Sequence, residues 1–387
     1  MTDLDRSPRI RQPLIDAQSA VDAALTEVLA DLGRRWRALT PDGSASPGSP
    51  DNPASHLGLI GASTQLTADD VLGYLIDFLS RPGKRIRPQM CFWGWASVHG
   101  TCAPTHDNGY ADMVTAGAAL ELLHVLGLVH DDVMDESDQR RGRPTVHRRA
   151  TDDHRRQHAD GDPDRYGESI AVLVGDLAHT EAVRLAMTLP PPMREVWNTL
   201  SLELMIGQAT DLIGAAGRRR DLAHARAIAR TKSGAYTVAR PLDLGATAAG
   251  ATELTRQALA RYGHHVGEAF ALRDDLLGAF GDTSTTGKPV GDDLVAGKPT
   301  VLLALAAQTD DPATQSALAS IESRTITAGD VPQIQATLAA AGIVDRAEAL
   351  IADATAAALL ELDEAPIHPD AREGLVDLAQ SIAWRAS

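Results

Sequence analysis

Three aspartates lie at the end of a long apolar stretch, about a third of the way along the chain. The segment LELLHVLGLVHDDVMDESDQRRGRPTVH, residues 120–147, contains them as Asp131, Asp132 and Asp135. Apolar residues at helical spacing continue to Met134, so we predict that the aspartates lie on one helix, with Asp131 and Asp135 sharing a face. Carboxylates at this spacing repel each other unless a cation compensates, and hard carboxylate oxygens suit Mg²⁺.

Two arginines, Arg140 and Arg141, follow the aspartates, and Arg143 comes shortly after them. Guanidinium groups bind phosphate oxygens through paired hydrogen bonds. Carboxylates that hold Mg²⁺ beside such arginines would form a binding site for a diphosphate. A solvated acidic helix end is the alternative, and an isolated DDxxD pattern fits it equally well. The apolar run before the aspartates and the RRGRPT sequence after them favour the diphosphate site.

With these residues the chain resembles the trans-polyprenyl diphosphate synthases, the family of the farnesyl and geranylgeranyl diphosphate synthases. The resemblance extends from about Gly83 to the C-terminus. It implies an all-α fold of the isoprenoid-synthase type, with helices around a deep central cavity, and a homodimer. It also implies the reaction, in which isopentenyl diphosphate is added to an allylic diphosphate. Asp131, Asp135 and Asp274 would bind the Mg²⁺ ions, about three per active site.

The sequence GKRIRP, residues 83–88, precedes an apolar helix and by itself predicts only a basic helix start. It matches the family motif GKxxRP, which implies that Lys84 and Arg87 hold the diphosphate of isopentenyl diphosphate. His124 lies two helical turns before the first aspartate, and a lone histidine there would otherwise be interpreted as a core residue. The resemblance implies that His124 and Arg141 join the isopentenyl diphosphate site.

A second acidic motif, GEAFALRDDLLGAFGDTSTTGKPVGDDLVAGKPT, spans residues 267–300, and we expect Asp274 and Asp275 to end an apolar helix. Lys232–Ser233 and the GQxxD pattern at residues 207–211 resemble further family motifs. The resemblance implies that the allylic diphosphate is contacted by Arg140, Gln208, Lys232, Ser233, Lys288 and Lys298. It implies that the residues most directly involved in catalysis are Asp131, Asp132, Asp135, Asp274 and Lys232.

The second motif departs from the family pattern at two positions. The fifth position is usually Asp, whereas this chain has Gly278, and Ala271 stands where the family often has Gln. The first change removes a carboxylate near the metal, for which Asp282 could compensate only indirectly. We still expect Mg²⁺ to bind, because Asp274 and Asp275 remain.

Product length should depend on the residues below the first motif. Gly127 and Leu126 precede Asp131 by four and five positions, which is about 6 to 7.5 Å along a helix. Farnesyl-forming members of the family often have a bulky aromatic residue here, and this chain has none. We therefore predict a C20 product, geranylgeranyl diphosphate, rather than C15, and longer products stay open.

The elements that must position these motifs are helices. Leu14, Ala17, Val21, Leu25, Val28 and Leu32 recur at helical spacing and predict an amphipathic helix from about Pro13 to Leu39. A Pro-, Gly- and Ser-rich segment follows, which we interpret as a mobile loop. From Leu66 onward the pattern is helical, with no β-hairpin signature and with a surface loop expected at residues 148–167.

These patterns predict two parts of the chain. Residues 1–58 would form an N-terminal helix plus the mobile loop, and the resemblance implies that residues 59–387 form the polyprenyl synthase catalytic domain. Length alone allows one large domain or two smaller ones among the 387 residues.

The composition of the chain argues against a nucleic-acid-binding, disulfide-rich or membrane-spanning protein. Lys plus Arg number 36 and Asp plus Glu 52, a formal charge of −16, which argues against a nucleic-acid partner. The two cysteines, Cys91 and Cys102, have no metal-binding or disulfide spacing, as expected for a cytoplasmic protein. We see no signal peptide and no run of eighteen apolar residues, so we do not expect the chain to span a membrane.

Two alternatives remain open at this point. A class I terpene cyclase also binds Mg²⁺ through DDxxD clusters, but it would have no need for a second diphosphate site. A regulatory subunit of a hetero-oligomeric synthase would be expected to lose acidic residues from the first motif. That motif is intact, whereas Gly278 and Ala271 in the second motif are compatible with a weakly active subunit.

Overall fold

The structure is a computed structural model and describes residues 8–40, 66–81, 83–102, 108–140, 142–281 and 291–384. Helices make up nearly all the elements in this part of the chain, and the predicted all-α class is confirmed. The division predicted at residue 58 and the loop predicted before it lie outside the described residues, apart from Thr40.

The elements before the second acidic motif are mostly helices. They are α1 (Pro8–Leu39), α2 (Asp69–Leu79), α3 (Ile86–His99), α4 (Tyr110–Met134), β1 (Gln139–Arg140), β2 (Arg143–Pro144), α5 (Val146–Arg156), α6 (Pro163–Ala186), α7 (Pro191–Ala216) and α8 (Leu222–Ile228). Helix α8 continues without interruption into a π-helix, the π segment (Ala229–Ala239), and then into α9 (Arg240–Ala248).

The remaining elements are again helices. They are α10 (Glu253–Phe280), α11 (Asp292–Val295), α12 (Val301–Ala306), α13 (Pro312–Glu322), α14 (Val331–Ala340), α15 (Ile343–Asp363) and α16 (Pro369–Ala383). Several begin at side chains that cap free backbone N–H groups. Asp162 accepts hydrogen bonds at the start of α6 and Thr252 at the start of α10.

The chain divides into two compact units. The large unit comprises Met1–Asp16, Gln89–Met113 and Pro190–Ser387, and the small unit comprises Ala17–Pro88 and Val114–Leu189. In the large unit α10 packs against the π segment, α15 and α16. Its core includes the buried residues Leu272, Leu276, Val301, Leu303, Ile321, Ile343 and Ile351.

The small unit contains most of α1 and α4 together with α2, α5 and α6, and α6 packs on both α2 and α5. All six apolar residues that predicted helix α1 are buried, although Leu14 belongs to the part of the helix assigned to the large unit. Helix α4 has the length and apolar character of a membrane span, but 67% of its apolar window is buried inside the protein. A core helix of a globular protein has the same properties.

Two expectations about local structure were wrong. The residues of β1 and β2 form a short antiparallel pair, because Gly142 adopts a φ of 70° and lets the RRGRP sequence turn back. The surface loop expected at residues 148–167 is largely helical, since α5 extends to Arg156 and α6 begins at Pro163. Buried Ala150, Thr151 and His154 face the protein on α5 despite its polar sequence.

Candidate active site

The C-terminal end of α4 carries the first aspartate cluster. Asp131 and Asp132 lie in the helix, whereas Asp135 directly follows its last residue. The N–H of Asp135 still donates to the carbonyl oxygen of Asp131 at 2.8 Å. Glu136 has a φ of 53°, a left-handed conformation that prevents the helix from continuing. The N–H of Ser137 donates to the Asp132 carbonyl at 2.9 Å. Asp131 and Asp135 therefore keep the one-turn spacing that the sequence predicted.

The three carboxylates differ in their surroundings. Asp132 is buried and pairs with Arg140, whose Nη2 lies 2.6 Å from Asp132 Oδ1 and 3.5 Å from Asp131 Oδ2. Burial alone would lower the pKa of Arg140, but the charges of Asp132, Asp131 and Asp135 outweigh it and raise that pKa. Asp132 thus orients the arginine, while Asp131 and Asp135 are the carboxylates suited to a metal.

The arginine is held by the short hairpin that follows α4. The backbone N–H of Thr145 donates to the Asp138 carbonyl at 3.1 Å, and its Oγ1 donates to the Ser137 carbonyl at 2.9 Å. These bonds return the hairpin to the end of α4, next to the aspartates. Arg141, predicted to contact isopentenyl diphosphate, lies outside the described residues.

The residues predicted for isopentenyl diphosphate lie before α3 and on α4. Lys84 is exposed, and Arg87 lies in the first turn of α3, partly buried. His124 is partly buried on α4. Between the two motif cations stands Arg85, which forms an ion pair with Glu121 of α4, one turn before His124. The sequence analysis missed this pair, because nothing in the spacing linked residues thirty-six positions apart.

The second cluster lies inside α10. The expectation that Asp274 and Asp275 end their helix was wrong, because α10 continues to Phe280. Asp274 is exposed, and Asp275 accepts a hydrogen bond from the N–H of Val301 at 3.2 Å. Burial and the neighbouring carboxylate of Asp293 raise the pKa of Asp275 to about 8. An added cation would be favoured among these acidic groups.

Gly278 faces another carboxylate. A Cβ built at Gly278 would lie 2.6 Å from Oδ2 of Asp293, so that carboxylate stands where the family's fifth-position side chain would begin. Lys298 Nζ lies 3.2 Å from Asp293 Oδ1. Asp282 and Lys288 lie outside the described residues. Ala271 is buried in the packed face of α10, so that departure from the family affects core packing.

Lys232 lies within the π segment, and Ser233 follows it. The ammonium group of Lys232 contacts Asp211 Oδ2 at 2.5 Å, so the structure brings the Lys–Ser pair and the GQxxD pattern together. A Cβ at Gly207 would lie only 2.6 Å from Cα of Lys232. The absence of a side chain at Gly207 therefore allows α7 to approach the π segment closely. Gln208, the next residue and a predicted contact of the allylic diphosphate, is partly buried.

Glycines also bring the π segment against α10. A Cβ at Gly234 would lie 2.8 Å from the carbonyl carbon of Gly267, and one at Gly263 would lie 2.7 Å from Cα of Ala239. Backbone therefore packs on backbone between the helix of Lys232 and the helix of Asp274. π-Helical turns often occur at functional sites. The sequence contained these glycines, but only the packing explains them.

The two residues predicted to limit product length differ in their surroundings. A Cβ built at Gly127 would meet nothing within 4 Å, whereas Leu126 is buried, with 6% of its surface exposed. The small unit also has a cavity of about 550 Å³, lined by Trp36, Val71, Tyr166, Leu173 and Leu177 among others. None of the predicted site residues lines it, so we do not assign it to chain growth.

Oxygen donors suited to Mg²⁺ are present in both clusters. Among the described residues, no three His, Cys, Asp or Glu side chains form a ready cage for a metal ion. Mg²⁺ does not require such a cage, because it is commonly held by one or two carboxylates together with substrate phosphates and water. The donor chemistry of Asp131 and Asp135 in the small unit, and separately that of Asp274 in the large unit, therefore fits Mg²⁺ bound together with a diphosphate.

Comparison with known proteins identifies the family. The family model described as Polyprenyl synthetase matches residues 69–338, more than half of the chain. The chain belongs to the polyprenyl synthetase family. The resemblance in the motifs is thus confirmed, and this polyprenyl synthetase is a prenyltransferase of the class that makes linear trans-prenyl diphosphates.

Relatives of this polyprenyl synthetase differ in the product that they are named for. This chain is 34% identical over 280 residues to geranylgeranyl diphosphate synthase of Mycobacterium tuberculosis. The match covers 71% of this chain and 74% of the relative. The polyprenyl synthetase is 31% identical to geranylfarnesyl diphosphate synthase of Aeropyrum pernix, covering 62% of this chain and 70% of the relative.

A solved structure is similar along nearly the whole chain. It is geranylgeranyl pyrophosphate synthase of Corynebacterium glutamicum in complex with isoprenyl diphosphate and magnesium. The TM-score is 0.79 at 32% identity, over 94% of this chain and 98% of that protein. The shared fold agrees with the all-α class of the polyprenyl synthetase described above.

Proposed function

We propose that this polyprenyl synthetase joins isopentenyl diphosphate to an allylic diphosphate with Mg²⁺ and that its main product is geranylgeranyl diphosphate. The observation that carries the C20 product is the open space at Gly127, one turn below Asp131, where a Cβ would meet no atom within 4 Å. A growing chain needs such space below the ionising group. The relatives named for C20 synthesis support the same product.

In the proposed reaction, Mg²⁺ and a small number of side chains share the binding of the allylic diphosphate. Mg²⁺, when bound, offsets the charge that develops on the departing diphosphate. Asp131 and Asp135 supply carboxylate oxygens at the end of α4, and Asp274 supplies one from α10. Lys232 is held in place by Asp211 and offers a cationic N–H donor to diphosphate oxygens.

The bond changes then follow. The allylic C–O bond ionises and leaves an allylic cation and free diphosphate. The double bond of isopentenyl diphosphate attacks the cation, a new C–C bond forms, and a proton passes to the released diphosphate. Lys84, Arg87 and His124 hold the diphosphate of isopentenyl diphosphate, which does not leave. Apolar side chains must exclude water, which would otherwise convert the cation into an alcohol.

The test is a product assay. Purified protein is incubated with Mg²⁺, labelled isopentenyl diphosphate and each of the C5, C10 and C15 primers, and the dephosphorylated products are separated by chromatography. We expect C20 as the main product from every accepted primer. A main product of C15, or of C25 and longer, would overturn the C20 assignment. No product with any primer would favour a regulatory subunit that needs a partner.

We further propose that the protein acts as a homodimer in the cytoplasm. The family resemblance and the absence of disulfide spacing for Cys91 and Cys102 support this proposal. Light scattering during size-exclusion chromatography should give twice the mass of 40.9 kDa. A mass of one chain at micromolar concentration would contradict it.

A further inference from the structure

Arg85 stands between the two cations predicted to bind isopentenyl diphosphate, and its backbone is unusual. Its φ is 48°, in the left-handed region that bulky residues seldom adopt. Such a conformation persists only where surrounding contacts hold it. Neither Lys84 nor Arg87 has a positive φ. The local turn of the GKRIRP sequence is therefore set at Arg85.

Two carboxylates from two helices hold the Arg85 side chain. Glu121 of α4 is 5% exposed and forms an ion pair with Nη1 of Arg85. Asp22 of α1 lies 3.1 Å away on the other side of the guanidinium group and is about half exposed. A buried carboxylate is stable only when it is paired, so the Glu121 contact couples the motif firmly to α4.

The same face of α4 continues to the predicted substrate residue. Gly117, Glu121 and His124 are spaced by four and three residues and lie one above another along the helix. A Cβ at Gly117 would lie 2.9 Å from Val21 and 3.7 Å from Pro88, so the end of the motif packs against this face too. Arg85 and Pro88 thus bind the motif to α4 on both sides of Arg87.

We propose that Arg85 is a positioning residue for isopentenyl diphosphate: its pairing with Glu121 directs Lys84 and Arg87 toward the face of α4 that carries His124. The proposal rests on the function proposed above, in which these three residues hold the diphosphate. Arg85 itself does not bind the diphosphate, because its guanidinium group is occupied by two carboxylates that would repel an approaching anion.

The test removes the Arg85–Glu121 ion pair without adding backbone strain. Arg85→Gly keeps a residue that accepts positive φ but deletes the side chain, and Glu121→Gln removes the charge of the partner at nearly the same size. We expect each variant to raise KM for isopentenyl diphosphate about tenfold, because small displacements of binding groups are costly. KM for the allylic substrate and kcat should change much less. The double variant should be no worse than the more affected single variant, since both remove one interaction.

Arg218 provides the matched control. It is also a non-glycine residue in the left-handed region, with a φ of 51°, and it lies exposed in the turn after α7. Arg218→Gly should leave both KM values unchanged. Arg85→Lys should recover part of the loss, because an ammonium group can still reach Glu121 as a point charge.

The outcomes separate this inference from the proposed function. An unchanged KM for isopentenyl diphosphate in Arg85→Gly would overturn the positioning role. If both KM values rise equally, or if a loss of folded protein accounts for the effect, Arg85 has a merely structural role. Either result would also overturn the positioning role. If Lys84→Ala and Arg87→Ala leave that KM unchanged, the proposed binding site itself fails. Titration calorimetry with isopentenyl diphosphate alone should show the same order of affinities.

Discussion

Asp131 and Asp135 lie at the C-terminal end of a helix, where the helix dipole places a partial negative charge. Two more carboxylates there are unfavourable unless positive charge is close. Arg140 supplies one such charge, but it pairs mainly with Asp132. The remaining negative potential at Asp131 and Asp135 is what would attract Mg²⁺ and, with it, a diphosphate.

We therefore expect Asp131→Ala and Asp135→Ala to lower kcat by at least about tenfold, and by more if each carboxylate contacts the metal directly, since metal stabilisation of developing charge is worth several kcal/mol. Steady-state kinetics at saturating Mg²⁺ would measure this. Circular dichroism would check that the variants are folded. Asp152→Ala, at an exposed residue of α5, is the control and should keep full activity. Activity above about a tenth in a folded Asp131 or Asp135 variant would contradict the metal assignment.

Asp275 gives a prediction about pH. Its pKa is raised to about 8 by burial and by Asp293, whereas an unfolded aspartate titrates near 3.8. The folded protein thus binds one more proton than the unfolded chain between these values. The contribution of Asp275 to the free energy of unfolding is fully present below pH 3.8 and is lost as pH rises to about 8.

Urea unfolding of metal-free protein in chelator, between pH 5 and 8.5, would measure this contribution. The unfolding free energy of the wild type should decline relative to that of Asp275→Asn as pH rises, and the difference should level off above about pH 8. Parallel pH profiles for the two proteins would show that the carboxyl does not titrate in this window. The substitution Asp152→Asn should leave the wild-type profile unchanged.

At the scale of elements, α4 combines several tasks on one surface. The face that runs from Gly117 through Glu121 and His124 ends at Asp131 and Asp135. Gly127 lies about 40° off this face at 100° per residue, and it leaves open space. One helix therefore carries the predicted isopentenyl diphosphate contact, the predicted metal ligands and the space proposed for the product.

We expect Gly127→Phe to shorten the main product from C20 towards C15, because the ring occupies volume that the growing chain needs. The first condensation should survive, since ionisation occurs about one turn above. Product chromatography with the same primer would measure the change. Gly127→Ala is the matched control: it should keep the C20 product and stabilise the helix by about 0.5–1 kcal/mol.

Leu126→Phe is a less clean version of this experiment. Leu126 is already buried, so a larger ring should also destabilise the fold by roughly 1–3 kcal/mol through overpacking. An unchanged product distribution in an active, folded Gly127→Phe variant would mean that the chain grows along a different surface.

At the scale of the whole molecule, the two diphosphates should be separable by kinetics. Arg87 and His124 both belong to the small unit. We expect Arg87→Ala and His124→Ala to raise KM for isopentenyl diphosphate about tenfold or more, because a charged hydrogen bond is worth about 1.5–3 kcal/mol. Lys232→Ala, in the large unit, should do the same for the allylic substrate. Varying each substrate in turn would measure both. Equal effects of all three changes on both substrates would defeat the assignment.

Much of this protein could be predicted from residue types at short spacing. The all-α class, the end of α1 at Leu39 and the helical placement of Asp131 follow from periodicity, because a helix repeats its environment every three to four residues. The start of α1 was predicted at about Pro13, but the helix begins at Pro8. The errors arose where tertiary contacts override local pattern. Helix α5 is polar in sequence yet buries Ala150 and His154, and α10 continues past Asp275.

Residue types and their spacing were enough to predict the prenyltransferase family, since carboxylates, arginines and lysines at these spacings have few other uses together. The pairing of these groups became visible only in the fold. The fold joined Arg85 to Glu121, placed the carboxylate of Asp293 beside Gly278 and brought the π segment against α10 at Gly234 and Gly267. The physical reason is that such contacts join residues far apart in the chain, and they depend on how closely two backbones can approach.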